Sequence, residues 1–220
     1  MDENFPAEEF ENIGYKAIWH GQKSFNGVAM LADGAAPIEV RRGLDGEPED
    51  DHARYLEADV AGIRVACIYL PNGNPLPGPK FDYKLRWMER LRHRMHEIAA
   101  EEVPAVVLGD YNVIPEDKDV WSPPRMADDA LMQAASRDAY FRLIGDGWTD
   151  AVDLHNPRGG IWTYWDYQAG AWQRDHGFRI DHALLSPELA DRLSACGVDK
   201  EHRGRERASD HAPVWVEFSD

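Results

Sequence analysis

The sequence predicts an α/β fold: two mixed β-sheets packed on each other and flanked by helices, a four-layer sandwich, within a single domain over residues 1–220. Three observations point there. Short apolar runs punctuated by Gly and Pro outnumber the segments with a helical period. Several of these runs are apolar on both faces, as strands covered on both sides must be. No repeat, low-complexity tract or break in composition marks a linker between domains.

Strands are expected at 14–19, 27–31, 55–60, 63–70, 105–108, 161–165, 178–185 and 213–218. Ala61-Gly62 separates two of them by a tight turn, which reads as a hairpin. The first helix is expected over 81–100, where Phe81, Leu85, Met88, Leu91, Met95 and Ile98 recur three or four apart; Pro104 stops it. A second is expected over 128–144, with Asp128 or Ser136 as N-cap and Gly145 and Gly147 closing it. Ser186-Pro187-Glu188 opens a short third, with Ser at the cap and Pro in the first turn.

At 43% hydrophobic and 10% aromatic, the chain has ample material for a core, which excludes a disordered protein. No uninterrupted apolar stretch is long enough to span a membrane, and the acidic start MDENFPAEEF is unlike a signal peptide. Cys67 and Cys196 are too few for a disulfide framework, so a reducing, cytoplasmic setting is expected. The net charge of −16 disfavours nucleic-acid binding, because Lys and Arg supply much of that affinity, and suits carboxylates gathered around a divalent cation. The acid is clumped: EEFE at 8–11 and EPEDD at 47–51 read as solvated loops. Basic segments remain at 202–207 and on the helix face holding Arg86, Arg90 and Arg94.

Four strand ends carry polar groups. In VPAVVLGDYN a buried strand runs into Gly109 and presents Asp110 and Asn112, which project to one side if the backbone stays extended. A carboxylate there must be paired, hydrogen-bonded or metal-bound; an Asp that caps a turn is the alternative. Ser209-Asp210-His211 precedes the last strand, placing a hard oxygen ligand beside an imidazole. Asp181 interrupts the apolar run FRIDHALLS and could orient an imidazole, His211 being one candidate; His182 points the other way and reads as structural. Tyr69 and Asn72 in YLPNGN offer a phenol and an amide at a strand end, although Tyr69 could equally be an ordinary core aromatic. With no Cys nucleophile, GxSxG elbow or P-loop, this set suits a hard ion, Mg2+ or Mn2+, and phosphoryl chemistry.

In chain order, GQKSFNGVA, YLPNGNP, GDYN, FRIDHALLS and SDH resemble the exodeoxyribonuclease III family, abasic-site endonucleases and 3′-exonucleases of the endonuclease/exonuclease/phosphatase superfamily. The resemblance covers the chain from Phe5 onward. It implies that Tyr69 and Asn72 contact the scissile phosphate, and that Asp110 activates water or protonates the leaving group. Asn112 would position the transition state, and His211, held by Asp181, would stabilise the pentavalent phosphate. Asp210 would ligate the metal, with Asp110, Asn112 and His211 completing the metal set. Lys23, Tyr164, Trp165 and Phe178 are carried over as substrate-binding, with Tyr164 as the duplex wedge. The basic loop at 203–207 would meet the backbone. The implied partners are double-stranded DNA, its abasic sites and its 3′ ends, met by a monomer with no membrane attachment.

The chain departs from the family in one respect. Neither WN-x-N nor the LQE motif whose Glu ligates the metal occurs in it, and Met1-Asp-Glu-Asn-Phe-Pro resembles the sequence just after that Glu. The expectation is a fold lacking the family's N-terminal strand-helix-strand, with two readings. The preferred one is a fragment or misassigned reading frame of an active enzyme whose start lies upstream; the other is a product whose metal binding and catalysis are badly weakened. The 220-residue chain is expected to melt below a version extended upstream. A silent DNA-binding module and a lipid or inositol phosphodiesterase are the competing functions.

Overall fold

This computed structural model describes residues 2–219. An antiparallel pair, β1 (Tyr15–Gly21) and β2 (Gly27–Asp33), forms the first sheet. The large sheet contains β3 (Ile38–Arg42), β4 (Tyr55–Val60), β5 (Ile63–Tyr69), β6 (Ala105–Asp110), β7 (Thr149–Asp150) and β8 (Asp181–Leu185), in the order β3-β4-β5-β6-β8-β7. A second pair, β9 (Leu193–Val198) and β10 (Val214–Phe218), completes the strands. The helices are α1 (Ala7–Asn12), α2 (Pro79–Ala100), α3 (Pro123–Met126), α4 (Ala134–Gly145), α5 (Ala151–His155) and α6 (Pro187–Ala190).

Ala61 and Gly62 both take positive φ (50° and 83°), so the β4–β5 hairpin closes with the two-residue turn that matches strand twist. The β5–β6 pair is parallel, a geometry that needs a long crossover, and α2 supplies it. Trp87, Leu91 and Met95 of α2, with Tyr140 and Leu143 of α4, pack on Ala66, Ile68, Val107 and Leu184 of the large sheet. Each such large apolar side chain contributes about 1.5–3 kcal/mol. The opposite face is covered by the two small pairs: β1–β2 over Leu56 and Ala58, and β9–β10 over Val106, Ala183 and Leu185. The sandwich of sheets and helices therefore stands, with its second sheet in two separate pieces. The acidic run at 8–11 is helical and not a loop: it lies in α1, which packs against β1 and buries no residue.

Several boundaries differ from expectation for physical reasons. The run at 161–165 is no strand: Tyr164 makes single bridges to Phe178 and His211. The run expected from 178 joins the ladder only at Asp181. β3 and β9 escaped notice because exposed Ile38 alternates with charge and LSACGV is small and weakly apolar; β7 has two residues. α4 starts at Ala134, after a turn in which Asp129 Oδ1 accepts from the Leu131 N–H. Ser136 lies buried inside that helix, donating to the Ala130 carbonyl, and caps nothing. Ser186 precedes α6 but its hydroxyl ties Val103 and Ala105 instead of the helix. On α2 the inward position falls to Lys84 rather than Leu85.

The charge map is also corrected. EPEDD is not a solvated loop: Glu47 pairs with Arg86 (2.6 Å) and Asp50 with Arg90 (2.5 Å), while Arg94 pairs with buried Glu57 (2.6 Å). The arginine face of α2 is therefore neutralised by carboxylates.

Candidate active site

Strand register builds the site. Tyr69, Asp110 and Asp181 stand directly opposite one another at the ends of β5, β6 and β8, so all three side chains leave the same face of the sheet. Gly109 makes this close packing possible: at φ 138° an added Cβ would lie 2.1 Å from the Ile68 carbonyl oxygen. Past Asp110 the backbone abandons the extended form, with Asn112 in the left-handed region at φ 47°. Its backbone N–H and Nδ2 then both donate to the Asp110 carboxylate (2.8 and 2.9 Å). Nδ2 also donates to the Leu70 carbonyl, and Asn112 Oδ1 accepts from Asn72 Nδ2 at 2.9 Å. Asn112 is thus the hinge between two strand ends.

His211 arrives from the segment before β10, its Nδ1 2.8 Å from Asp181 Oδ2 and its ring edge-on to Tyr164 at 5.0 Å. Buried Thr163 holds this corner: its hydroxyl accepts from the Ile180 and Asp181 N–H groups, and its carbonyl accepts from the Ala212 N–H. His182 faces the other side as expected, buried between Arg179 and the Val113 carbonyl. Arg54 braces Tyr69, with a guanidinium N–H on the Tyr69 carbonyl (3.0 Å) and the cation over the ring (4.8 Å).

Electrostatics separate the titrating groups. Enclosure, aided by repulsion from Asp181, pushes the Asp110 carboxyl up to about 7 against the pull of His211 and Asn112. Burial alone would lower His211, but the Asp181 hydrogen bond and charge, with Asp110 and Asp210 nearby, hold it up at about 9. Between those values the site holds a carboxylate beside an imidazolium.

These groups floor a cavity of about 660 Å³ lined by Tyr69, Asn72, Asp110, Asn112, Asp210 and His211. Tyr164 and Phe178 form an aromatic wall, their rings tilted by 34° with centroids 4.7 Å apart. Two residues carried over as substrate-binding lie elsewhere. Trp165 is fully buried, its indole N–H on Asp175, and Lys23 sits in the exposed β1–β2 turn away from the cavity. Arg203 of the basic loop is buried against the Trp165 carbonyl and Tyr167. Sequence reasoning missed Trp121 and His176, stacked at 3.6 Å, and the exposed Arg125 and Arg174, all of which line the cavity. No local pattern distinguished these from loop residues; their long-range approach brings them in.

The sequence profile of the Endonuclease/Exonuclease/phosphatase family matches residues 3–211. The chain belongs to this family. It is 32% identical over 229 residues to exodeoxyribonuclease III of Haemophilus influenzae, covering 99% of this chain and 85% of that protein. Among solved structures it is similar to an AP endonuclease from Archaeoglobus fulgidus (TM-score 0.94, 37% identity, 100% and 85% of the two chains). It is equally similar to the 3′-5′ exonuclease NExo from Neisseria meningitidis (TM-score 0.95, 37% identity, 98% and 84%). The family resemblance read from GDYN, FRIDHALLS and SDH therefore stands, on its exodeoxyribonuclease III branch.

The expected metal set is not a cage. Among the described residues no three His, Cys, Asp or Glu side chains are grouped as ligands, so Asp110, Asp210 and His211 form no such group. Both amide hydrogens and one acceptor direction of Asn112 are committed to protein partners. The donors present still fit a hard dication held by few ligands. Among the described residues the hydrogen bonds to the enclosed Asp110 carboxylate come from Asn112, and Asp210 adds a second oxygen donor at the cavity. Mg2+ is commonly bound by one or two carboxylates together with substrate phosphate.

Proposed function

We propose that this chain is a DNA-repair nuclease that hydrolyses phosphodiesters, cutting 5′ to abasic sites and removing nucleotides or blocking groups from 3′ ends of duplex DNA. The observation that carries the reading is the in-register row Tyr69–Asp110–Asp181, with His211 bonded to Asp181, in a cavity walled by aromatics. The names of the similar proteins support it: one solved relative, 36% identical, is a 3′ phosphatase bound to a product DNA hairpin.

The site's own groups divide the work. Tyr69 and Asn72 contact the phosphate at the cavity rim. His211, kept protonated by Asp181, donates from Nε2 to a non-bridging oxygen as negative charge grows there. Asp110, ionised above about 7, accepts the proton of the attacking water while Asn112 fixes its orientation. Mg2+ or Mn2+, held by Asp110 and Asp210, would neutralise phosphate charge and help the leaving oxygen depart. The LQE motif, whose Glu the resemblance assigns to the metal, does not occur in residues 1–220.

Duplexes carrying an abasic site, a recessed 3′ end or a 3′-phosphate test the proposal. Hydrolysis of at least one is expected with Mg2+ or Mn2+, and loss of it with chelator or Asp110→Asn. A protein that retards the duplex on a gel yet cleaves none of the three is a binding module, and the nuclease reading fails.

A further inference from the structure

Lys84 is a buried amine with no part in those steps, its pKa pulled down by burial to about 7. It sits on the second turn of α2, fully buried, and its hydrogen-bond partners among the described residues are backbone carbonyls. The carboxylates whose charge reaches it are Asp110 and Asp129. Its amine donates to two backbone carbonyls, those of Asn72 (3.1 Å) and Asn112 (2.5 Å). These belong to different loops, one after β5 and one after β6, and their side chains already meet as the Asn72 Nδ2 to Asn112 Oδ1 bond. One amine therefore ties from below the same two residues whose amides meet above.

The surroundings leave that amine little choice of direction. A Cβ at Gly73 would approach Lys84 Cδ to 2.8 Å, and Ala130 and Phe81 crowd the same point. A fold needing only volume here would be served as well by a neutral side chain, because a buried charge opposes folding unless fully compensated. A group that pins two loops beneath a reacting centre instead acts on geometry, where small displacements matter to rate.

We propose that Lys84 is a positioning residue: by holding the Asn72 and Asn112 carbonyls together, it fixes the left-handed turn at Asn112 and so the amide that orients Asp110. The inference rests on the nuclease reading for its kinetic consequence but not for its geometric one.

Lys84→Met in the full chain separates the two. The variant is expected to fold, with a melting temperature at or above that of the parent. With selective labelling of Asn, the side-chain amide signals of Asn72 and Asn112 should move while those of distant Asn26 and Asn156 stay. On whichever duplex the parent cleaves, kcat should fall about thirtyfold with KM nearly unchanged, the pattern of lost orientation rather than lost binding. Unmoved amide signals in the folded variant would overturn the clamp, and so would a kcat equal to that of the parent. If the parent cleaves nothing, the nuclease reading alone fails and the amide signals still decide the clamp. Should Lys84→Met not fold, Lys84→Gln is read in the same two ways. Failure of both to fold would overturn the proposal by making the lysine a structural necessity.

Discussion

Replacing Asp110 by Asn removes a carboxylate that enclosure and the Asp181 charge lift from 3.8 to about 7. Because its pKa in the folded state exceeds the unfolded value, ionisation opposes folding: the cost is absent at pH 4, builds between about 4 and 7, and is complete above. Asp110→Asn should therefore melt higher than the parent at pH 8 in chelator and equal to it at pH 4, while activity falls by about 10²–10⁴. A lower melting temperature at pH 8 would contradict the assignment. The same residues set the pH profile: with Asp110 near 7 and His211 near 9, kcat/KM should be bell-shaped between these limits when cation is limiting. Asp181→Asn withdraws the bond and charge that hold His211 up, so the alkaline limb should move to lower pH; a stationary limb would separate it from His211. At this scale the sequence was informative. An Asp breaking an apolar run signals an unmet need for a partner, and His211 met it. Trp165 and Lys23 were misplaced because an aromatic run and a surface lysine carry no sign of which way each side chain turns.

At the scale of elements, the site depends on the meeting of β5, β6 and β8 more than on any one strand. Gly109→Ala should drive a Cβ into the Ile68 carbonyl and part β5 from β6, costing about 1–3 kcal/mol and disrupting the Tyr69–Asp110 row. Reduced melting temperature together with loss of cleavage is expected; a stable and active alanine variant would show that the close approach is dispensable. Period and punctuation made α2 and the β4–β5 hairpin legible, since Met88, Leu91, Met95 and Ile98 recur at helical spacing and Ala61-Gly62 marks a turn. The ladder partners were not legible. β9 pairs β10 and β7 pairs β8 through contacts between distant segments, and neither β7 nor β9 has the apolar strength to announce itself locally.

Over the whole molecule, net charge is a poor guide to where a polyanion could bind. The acid loop at 47–50 covers the arginines of α2, whereas Arg125 and Arg174 stand exposed at the cavity. Each of these two should release about one counterion on binding duplex, so Arg125→Ala with Arg174→Ala should lower the slope of log affinity against log salt by about 2. An unchanged slope would place the duplex elsewhere. The inner face of the large sheet is covered by two separate strand pairs, and a cavity of about 250 Å³ opens between β10 and the β6–β8 surface.

The carboxylate cover on α2 has a further effect on encounter. A duplex drifting toward α2 would meet paired, cancelled charge and gain no attraction, whereas one approaching the cavity would meet the exposed guanidinium groups of Arg125 and Arg174. On the proposed function this distribution of charge would favour encounter at the cavity, and added salt should slow capture more than it speeds release.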